Sequence, residues 1–203
     1  MDEPSSDPGP DAPAGAAAPQ AEGGGAAPAD DRALREAQRA VLARAVGAER
    51  ETAEAFLDYL RRVVADKARG LTEEQARRRL VPSRTTVAGL LRHLTLVERN
   101  WFQRVVGGRS AAELELPLDT ADDTWDVPAE ATLASLTADY ERECARSRET
   151  AARFGLDHVF GHEEAERLSL RWILLHMIEE TARHAGHADI LREQTDGRTG
   201  DGG

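Results

Sequence analysis

The chain has 203 residues with a formal net charge of −11, which is long enough for one domain with a buried core. The acidic balance argues against a nucleic-acid surface, and a single cysteine, Cys144, excludes an internal disulfide and a cysteine-based zinc cluster. No run of about 18 apolar residues is present, so we expect no membrane partner and a cytoplasmic protein.

Residues 1–31 have the composition of a disordered segment. They carry seven acidic residues, no Lys or Arg, and runs of Ala, Pro and Gly. Such a segment cannot bury enough surface to offset its ordering entropy. We therefore predict a disordered acidic tail over residues 1–31, one four-helix-bundle metal-binding domain over residues 32–197, and a frayed C-terminus over residues 198–203.

Helical patterning begins after the tail. A first helical stretch is predicted over residues 31–69, with a break near Gly47. Thr72 with Gln75 forms a capping box, which predicts a short helix to about Leu80. The long first stretch is also a candidate surface for a homodimer.

A second long helix and an acidic loop follow. Pro82 interrupts the chain, and Ser83 is the expected N-cap of a helix that runs through Val106. Residues 109–131 are predicted to form a loop that contains the sequence DDTWDVP. Its Trp125 is expected to anchor the loop by packing over the bundle.

Two further helices complete the pattern. A third helix is predicted over residues 132–155 and a fourth over residues 169–194, with Ser169 as N-cap. We see no convincing strand alternation, and the simplest interpretation of His158 and His162 is a solvated loop before the fourth helix. Four principal helices with short or medium connections predict an all-α fold, a four-helix bundle.

The fourth helix carries metal-competent side chains where apolar ones are expected. Glu180 and His184 lie about 6 Å apart along the axis and on nearly the same face. A buried carboxylate and imidazole are costly unless they are paired, protonated or bound to a metal. The inward stripe, with steps of three and four residues, consists of Leu170, Ile173, Met177, Glu180, His184, His187 and Leu191.

His93 occupies the matching position on the second helix, in a stripe with Leu90 and Val97. It can reach an ion shared by Glu180 and His184. Two imidazoles and one carboxylate leave a coordination position open, as catalytic zinc sites do. Zinc is our first expectation, and Fe(II), Ni(II) or Mn(II) suit the same ligands. Spacing alone leaves simpler alternatives open. His93 could be a core histidine with its hydrogen bonds satisfied, and Glu180 could form an ion pair with an arginine.

Four residues are candidates for supporting roles. His187 and His176 could hold the metal ligands in place or accept a proton, with His187 on the inward stripe and His176 more peripheral. Arg183 could bind the thiol, although a salt bridge is the simpler interpretation. Trp101 could line a pocket, and both Trp101 and Trp172 are otherwise expected in the core.

Four segments resemble the DinB-like metal-binding four-helix bundle superfamily, which includes mycothiol-dependent maleylpyruvate isomerases and mycothiol S-transferases. They are LRHL (91–94), DDTWDVP (122–128), ERECARSRE (141–149) and SLRWILLHMIEETARHAGHADILRE (169–193). The last segment is most similar to the transferase-like branch. Many members hold a metal with one second-helix His and an H-x-x-x-H pair, and the isomerase branch has Glu first in that pair. The resemblance therefore implies His93, Glu180 and His184 as ligands.

The resemblance also implies an activity. A divalent metal would convert a low-molecular-weight thiol such as mycothiol into a thiolate, which attacks an electrophilic small molecule in a detoxification reaction. The isomerases carry an additional C-terminal domain without a counterpart here, so only the metal-thiol half of their mechanism is expected to transfer. Two alternatives stay open: a hydrolase that uses metal-bound water, and a metal-stabilised bundle that binds a small molecule or partner without catalysis.

Overall fold

The computed structural model describes residues 28–117 and 121–200. The prediction of a disordered tail falls mainly on residues 1–27, which lie outside the described residues. The fold is the predicted all-α bundle. Its helices are α1 (Pro28–Leu42), α2 (Glu49–Ala68), α3 (Glu73–Arg77), α4 (Val87–Glu98), α5 (Leu133–Ala151) and α6 (Leu170–Asp196), with the strands β1 (Val159–His162) and β2 (Glu166–Ser169).

Helices α2, α4, α5 and α6 form the bundle. Helix α2 packs along α6 and α4 packs along α5, while α4 also contacts α6 and α2 also contacts α5. Helix α1 lies against α2, after the expected break near Gly47. The interior is filled by fully buried side chains from these helices, including Leu57, Leu90, Leu94, Tyr140, Ile173 and Met177.

Helix starts follow the predicted capping chemistry with one exception. The capping box of Thr72 and Gln75 is present at α3, and Ser169 accepts a hydrogen bond from the backbone N–H of Trp172 at α6. Helix α4 is capped by Thr86, so the prediction of Ser83 is wrong. Ser83 instead bonds the hydroxyl of Thr85 in a turn that follows Pro82.

Helix α4 continues into a π-helical segment, Arg99–Val106. The sequence predicted an uninterrupted α-helix to Val106, because a change in helical winding leaves no obvious pattern. Phe102 and Val106 enter the core from this segment. Short π-helical segments often occur near functional sites.

A two-stranded hairpin replaces the predicted loop before α6. Strands β1 and β2 pair antiparallel, from Val159 opposite Ser169 to His162 opposite Glu166. Only Phe160 and Leu168 are buried. The strands are too short for alternation to be visible in the sequence. Among the described helices, none combines the length and the apolar character that crossing a membrane requires.

Candidate metal centre

Helices α4 and α6 bring the three predicted ligands together. The Oε1 atom of Glu180 lies 3.3 Å from His93 Nε2 and 3.0 Å from His184 Nε2. The three candidate ligand atoms all lie within 4.8 Å of one another. The side chains of His93 and Glu180 are each 14% exposed and that of His184 is 8% exposed. The cluster therefore lies at the edge of the core and within reach of a small molecule.

A 3-10 segment, Ala121–Trp125, covers His93 from outside the bundle. The hydroxyl oxygen of Thr124 lies 2.9 Å from His93 Nδ1. The indole of Trp125 stacks on the His93 ring with 4.2 Å between centroids, so this residue is an anchor as predicted. Thr124 was not singled out in the sequence, although its position beside Trp125 in DDTWDVP was an available signal.

His184 has a second partner of its own. Its Nδ1 atom lies 3.3 Å from Nδ1 of His187. His187 is exposed, so its predicted place on the inward stripe is wrong. A step of three residues rotates a side chain by about 60° from the starting face, and here that rotation turns His187 to solvent.

The polar contacts define the charge of the cluster. Hydrogen bonds from His184 and then from His93 hold the pKa of Glu180 well below its ordinary value, so this side chain is a carboxylate. Partial desolvation, followed by the charges of His184 and Arg183, lowers the pKa of His187. A neutral His187 can accept a hydrogen bond from His184 Nδ1.

The arrangement of protons decides whether the cluster fits a cation. Thr124 and His187 give the Nδ1 atoms of both clustered imidazoles a partner. Without a metal, Nε2 protons can bond Glu180. With the imidazole protons on Nδ1 instead, two Nε2 lone pairs and one carboxylate oxygen converge, and a cation between them would hold them together. Two nitrogens and one oxygen are a ligand set for zinc and similar divalent ions.

One family profile, described as Mycothiol-S-transferase, matches residues 52–197. The chain belongs to the mycothiol S-transferase family. The matched region runs from α2 to the end of α6 and includes all three clustered residues. No curated protein sequence matches the chain.

In this mycothiol S-transferase family member, Arg183 lies on the outer side of the cluster. It forms an ion pair with Glu179 and approaches Glu180 Oε2 at 3.5 Å. The simpler interpretation of Arg183 as a salt-bridge residue is thus met, and its contact with a thiol stays a prediction.

The other two candidates, Trp101 and His176, lie in a separate cluster of aromatic side chains. Trp101 stacks on His162 with 5.4 Å between centroids, and His176 meets the Trp101 ring edge-on at 4.7 Å. Trp172 stacks on His176 at 5.2 Å but remains 45% exposed, so its predicted place in the core is wrong. Trp101 contacts the rings of His162, Trp172 and His176, so it belongs to this cluster and not to the rings around His93.

Proposed function

We propose that the chain transfers a low-molecular-weight thiol, mycothiol or one of similar chemistry, to an electrophilic small molecule, with a divalent metal held by His93, Glu180 and His184. The observation that carries this proposal is the convergence of two imidazole nitrogens on one carboxylate oxygen. The family match supports the thiol and the transfer reaction.

The residues around the cluster have distinct roles in this proposal. Thr124 and His187 hold the Nδ1 sides of the two imidazoles, which fixes the rings and directs each Nε2 inward. Trp125 covers one face of His93 and excludes water from it. Glu180 supplies the negative charge that balances a cation.

A divalent cation in this ligand set supplies Lewis acidity, which lowers the pKa of a thiol and favours its thiolate form at neutral pH. The thiol sulfur then forms a bond to the electrophilic carbon of the second substrate, and the leaving group departs with its electron pair. The thiol proton needs an acceptor. Solvent water at the partly exposed edge of the cluster accepts it, while His187 keeps its contact with His184 Nδ1.

In this proposal the nucleophile comes from outside the protein. The only cysteine, Cys144, is buried on α5. Burial raises the pKa of its thiol, and nearby Glu98 raises it further. A buried thiol that stays protonated cannot attack a dissolved electrophile. In the proposed reaction the reactive thiol is therefore that of the small molecule and not that of Cys144.

The test is the metal content of the protein, measured by elemental analysis after purification without a metal-affinity column. About one divalent ion per chain is expected in the wild type, with loss in His184→Ala. Consumption of mycothiol with an electrophile should be lost in the same variant and on chelation of the wild type.

His158→Ala is the matched control, because this histidine is exposed at the start of the hairpin. It should keep both metal and activity. Thiol transfer that persists without metal would contradict the proposal, and so would turnover that needs no thiol. An unchanged metal content in His184→Ala would show that another set of residues holds the ion.

A further inference from the structure

A cavity of about 470 Å³ lies between α2 and α5, apart from the candidate metal centre. The described residues that line it do not include His93, Glu180 or His184. Sites for small molecules commonly have volumes of roughly 300–1,000 Å³ and a largely apolar lining with a few polar groups. The cavity is therefore large enough to hold a small molecule at a second place in the protein.

The floor of this cavity is apolar. Leu57 of α2, Phe102 of the π-helical segment and Leu174 of α6 line it, and each of them is at most 2% exposed. Ala151 of α5 adds a further apolar side chain. The apolar body of a ligand would lose its contact with water against these side chains, which favours binding.

The charged side chains of the lining neutralise one another. Each guanidinium has a carboxylate partner at 2.6–2.9 Å, and the pairs are Arg50 with Glu54, Arg61 with Glu98, and Arg148 with Asp58. A charged ligand would have to give up hydration in a described lining whose charges are already paired, which is costly. The balance of charge therefore favours an uncharged ligand.

One polar group of the lining is unsatisfied. Ser147 is fully buried, and its hydroxyl has no hydrogen-bond partner among the described residues. A hydroxyl inside a helix can bond the carbonyl four residues earlier, as Thr95 and Thr137 do at 2.7 and 2.9 Å. A buried hydroxyl without a partner is unfavourable. A ligand with one donor or acceptor group would supply the missing hydrogen bond.

Arg148, which follows Ser147 in the chain, is the movable part of the wall. Its side chain is 48% exposed and that of Asp58 is 40% exposed, so their ion pair contributes little to stability. The same pair also lines a second cavity of about 430 Å³, so the Arg148 side chain borders open space on both sides. Its movement would open the lining around Ser147 and leave the core intact.

We propose that the cavity between α2 and α5 is a second small-molecule site, for an uncharged molecule with an apolar body and one hydrogen-bonding group, such as a phenol. The apolar floor holds the body of the ligand, and Ser147 bonds its polar group. The proposal is independent of the proposed thiol transfer, because the lining and the metal cluster share no described residue.

The test is the binding of three matched probes to the full chain at neutral pH, measured by isothermal titration calorimetry. The probes are propylbenzene, para-propylphenol and para-propylbenzoate, which share one apolar body. The wild type should bind about one para-propylphenol per chain. It should bind para-propylbenzoate at least about tenfold more weakly, because the carboxylate gives up hydration without an unpaired charge to meet it.

Ser147→Ala is the deciding variant. It should weaken the binding of para-propylphenol by about three- to tenfold, the effect of one hydrogen bond, and leave the binding of propylbenzene unchanged. Without a probe it should keep or raise the melting temperature, because it removes a buried hydroxyl that has no partner. Thr137→Val is the matched control on the same helix, since its hydroxyl already bonds the carbonyl of Leu133. It should bind para-propylphenol as the wild type does.

A wild type that does not bind para-propylphenol would overturn the proposal, and so would equal binding of the phenol and the benzoate. An unchanged affinity in Ser147→Ala would also overturn it. A clearly lower melting temperature of Ser147→Ala without a probe would show that the hydroxyl has a structural partner.

A last variant separates this site from the candidate metal centre. His184→Ala should bind para-propylphenol as tightly as the wild type does, because His184 does not line the cavity. Loss of binding in this variant would place the probe at the metal centre and overturn the proposal. A failure of thiol transfer leaves this result unaffected, since no probe carries a thiol or an electrophilic group.

Discussion

Glu98 and Glu180 are two poorly exposed carboxylates on neighbouring helices with opposite surroundings. Glu98 is fully buried and accepts hydrogen bonds from Arg61 at 2.7 and 2.6 Å. Glu180 has two imidazole nitrogens at 3.3 and 3.0 Å. A carboxylate held by a guanidinium is already neutralised. A carboxylate beside imidazoles can share a cation with their ring nitrogens, so the type of partner, more than burial, separates a structural ion pair from a candidate metal site.

The largest expected effect on stability is at Glu98. Glu98→Gln removes the charge opposite Arg61, whose side chain is 5% exposed. Arg61 keeps Asp58 as a second partner at 2.9 Å, so this loss should lower the free energy of unfolding by about 3 kcal/mol, the lower end of the range for a broken buried ion pair. Urea denaturation of the metal-free protein measures this change.

Glu180→Gln is the matched control for that experiment. It should cost clearly less stability in the metal-free protein, because His93 and Glu180 are each 14% exposed and water can replace part of the lost hydrogen bonds. It should abolish metal binding, whereas Glu98→Gln should retain the metal. Equal losses of stability in the two variants would mean that the two carboxylates are both structural.

A smaller effect, on metal affinity, is expected at Thr124, where the loop contacts His93. Thr124→Val removes the partner of His93 Nδ1 but keeps the shape of the side chain. Loss of such an outer contact should weaken metal binding by about 10–100-fold. Competition with a chromogenic chelator measures the affinity.

Thr137→Val on α5 serves as the control for Thr124, since its hydroxyl bonds only the carbonyl of Leu133 in the same helix. Its metal affinity should equal that of the wild type. If Thr124→Val also binds normally, the loop covers His93 without orienting it.

The smallest effect is expected at the ion pair of Arg148 and Asp58. Their side chains are 48% and 40% exposed, with 2.9 Å between the paired atoms. Exposed ion pairs contribute about 0–1 kcal/mol, so Arg148→Ala should lower the free energy of unfolding by no more than about 1 kcal/mol. Thermal unfolding at low and high salt measures it, and a loss as large as that of Glu98→Gln would show that exposure does not separate the two pairs.

Local chemistry made part of the fold predictable. The cap of Ser169 and the box of Thr72 and Gln75 depend on residues three positions apart, so the sequence alone was sufficient. The hairpin was missed because its pairing joins short strands. The cap of α4 was misplaced because several residues before it, including Ser83 and Thr86, have suitable hydroxyl groups.

The candidate site was likewise predictable only where it depends on spacing within a helix. Helical periodicity placed Glu180 and His184 on one face, and His93 on an inward face of another helix. It could not show which carboxylate meets a guanidinium, because Arg61 and Glu98 are 37 positions apart in the chain. It also could not show that Thr124 contacts His93, since a loop has no periodicity to predict its path.

The sequence by itself determined the helical class, most helix boundaries and the positions of the candidate metal ligands on their own helices, because these depend on spacing within each helix. Only the tertiary structure decided that the Nε2 atoms of His93 and His184 meet Glu180 Oε1. It also decided that His187, Leu175 and Ile190 face solvent. The reason is physical: a helix fixes the angles between its own residues, whereas packing between helices fixes which of its faces are covered.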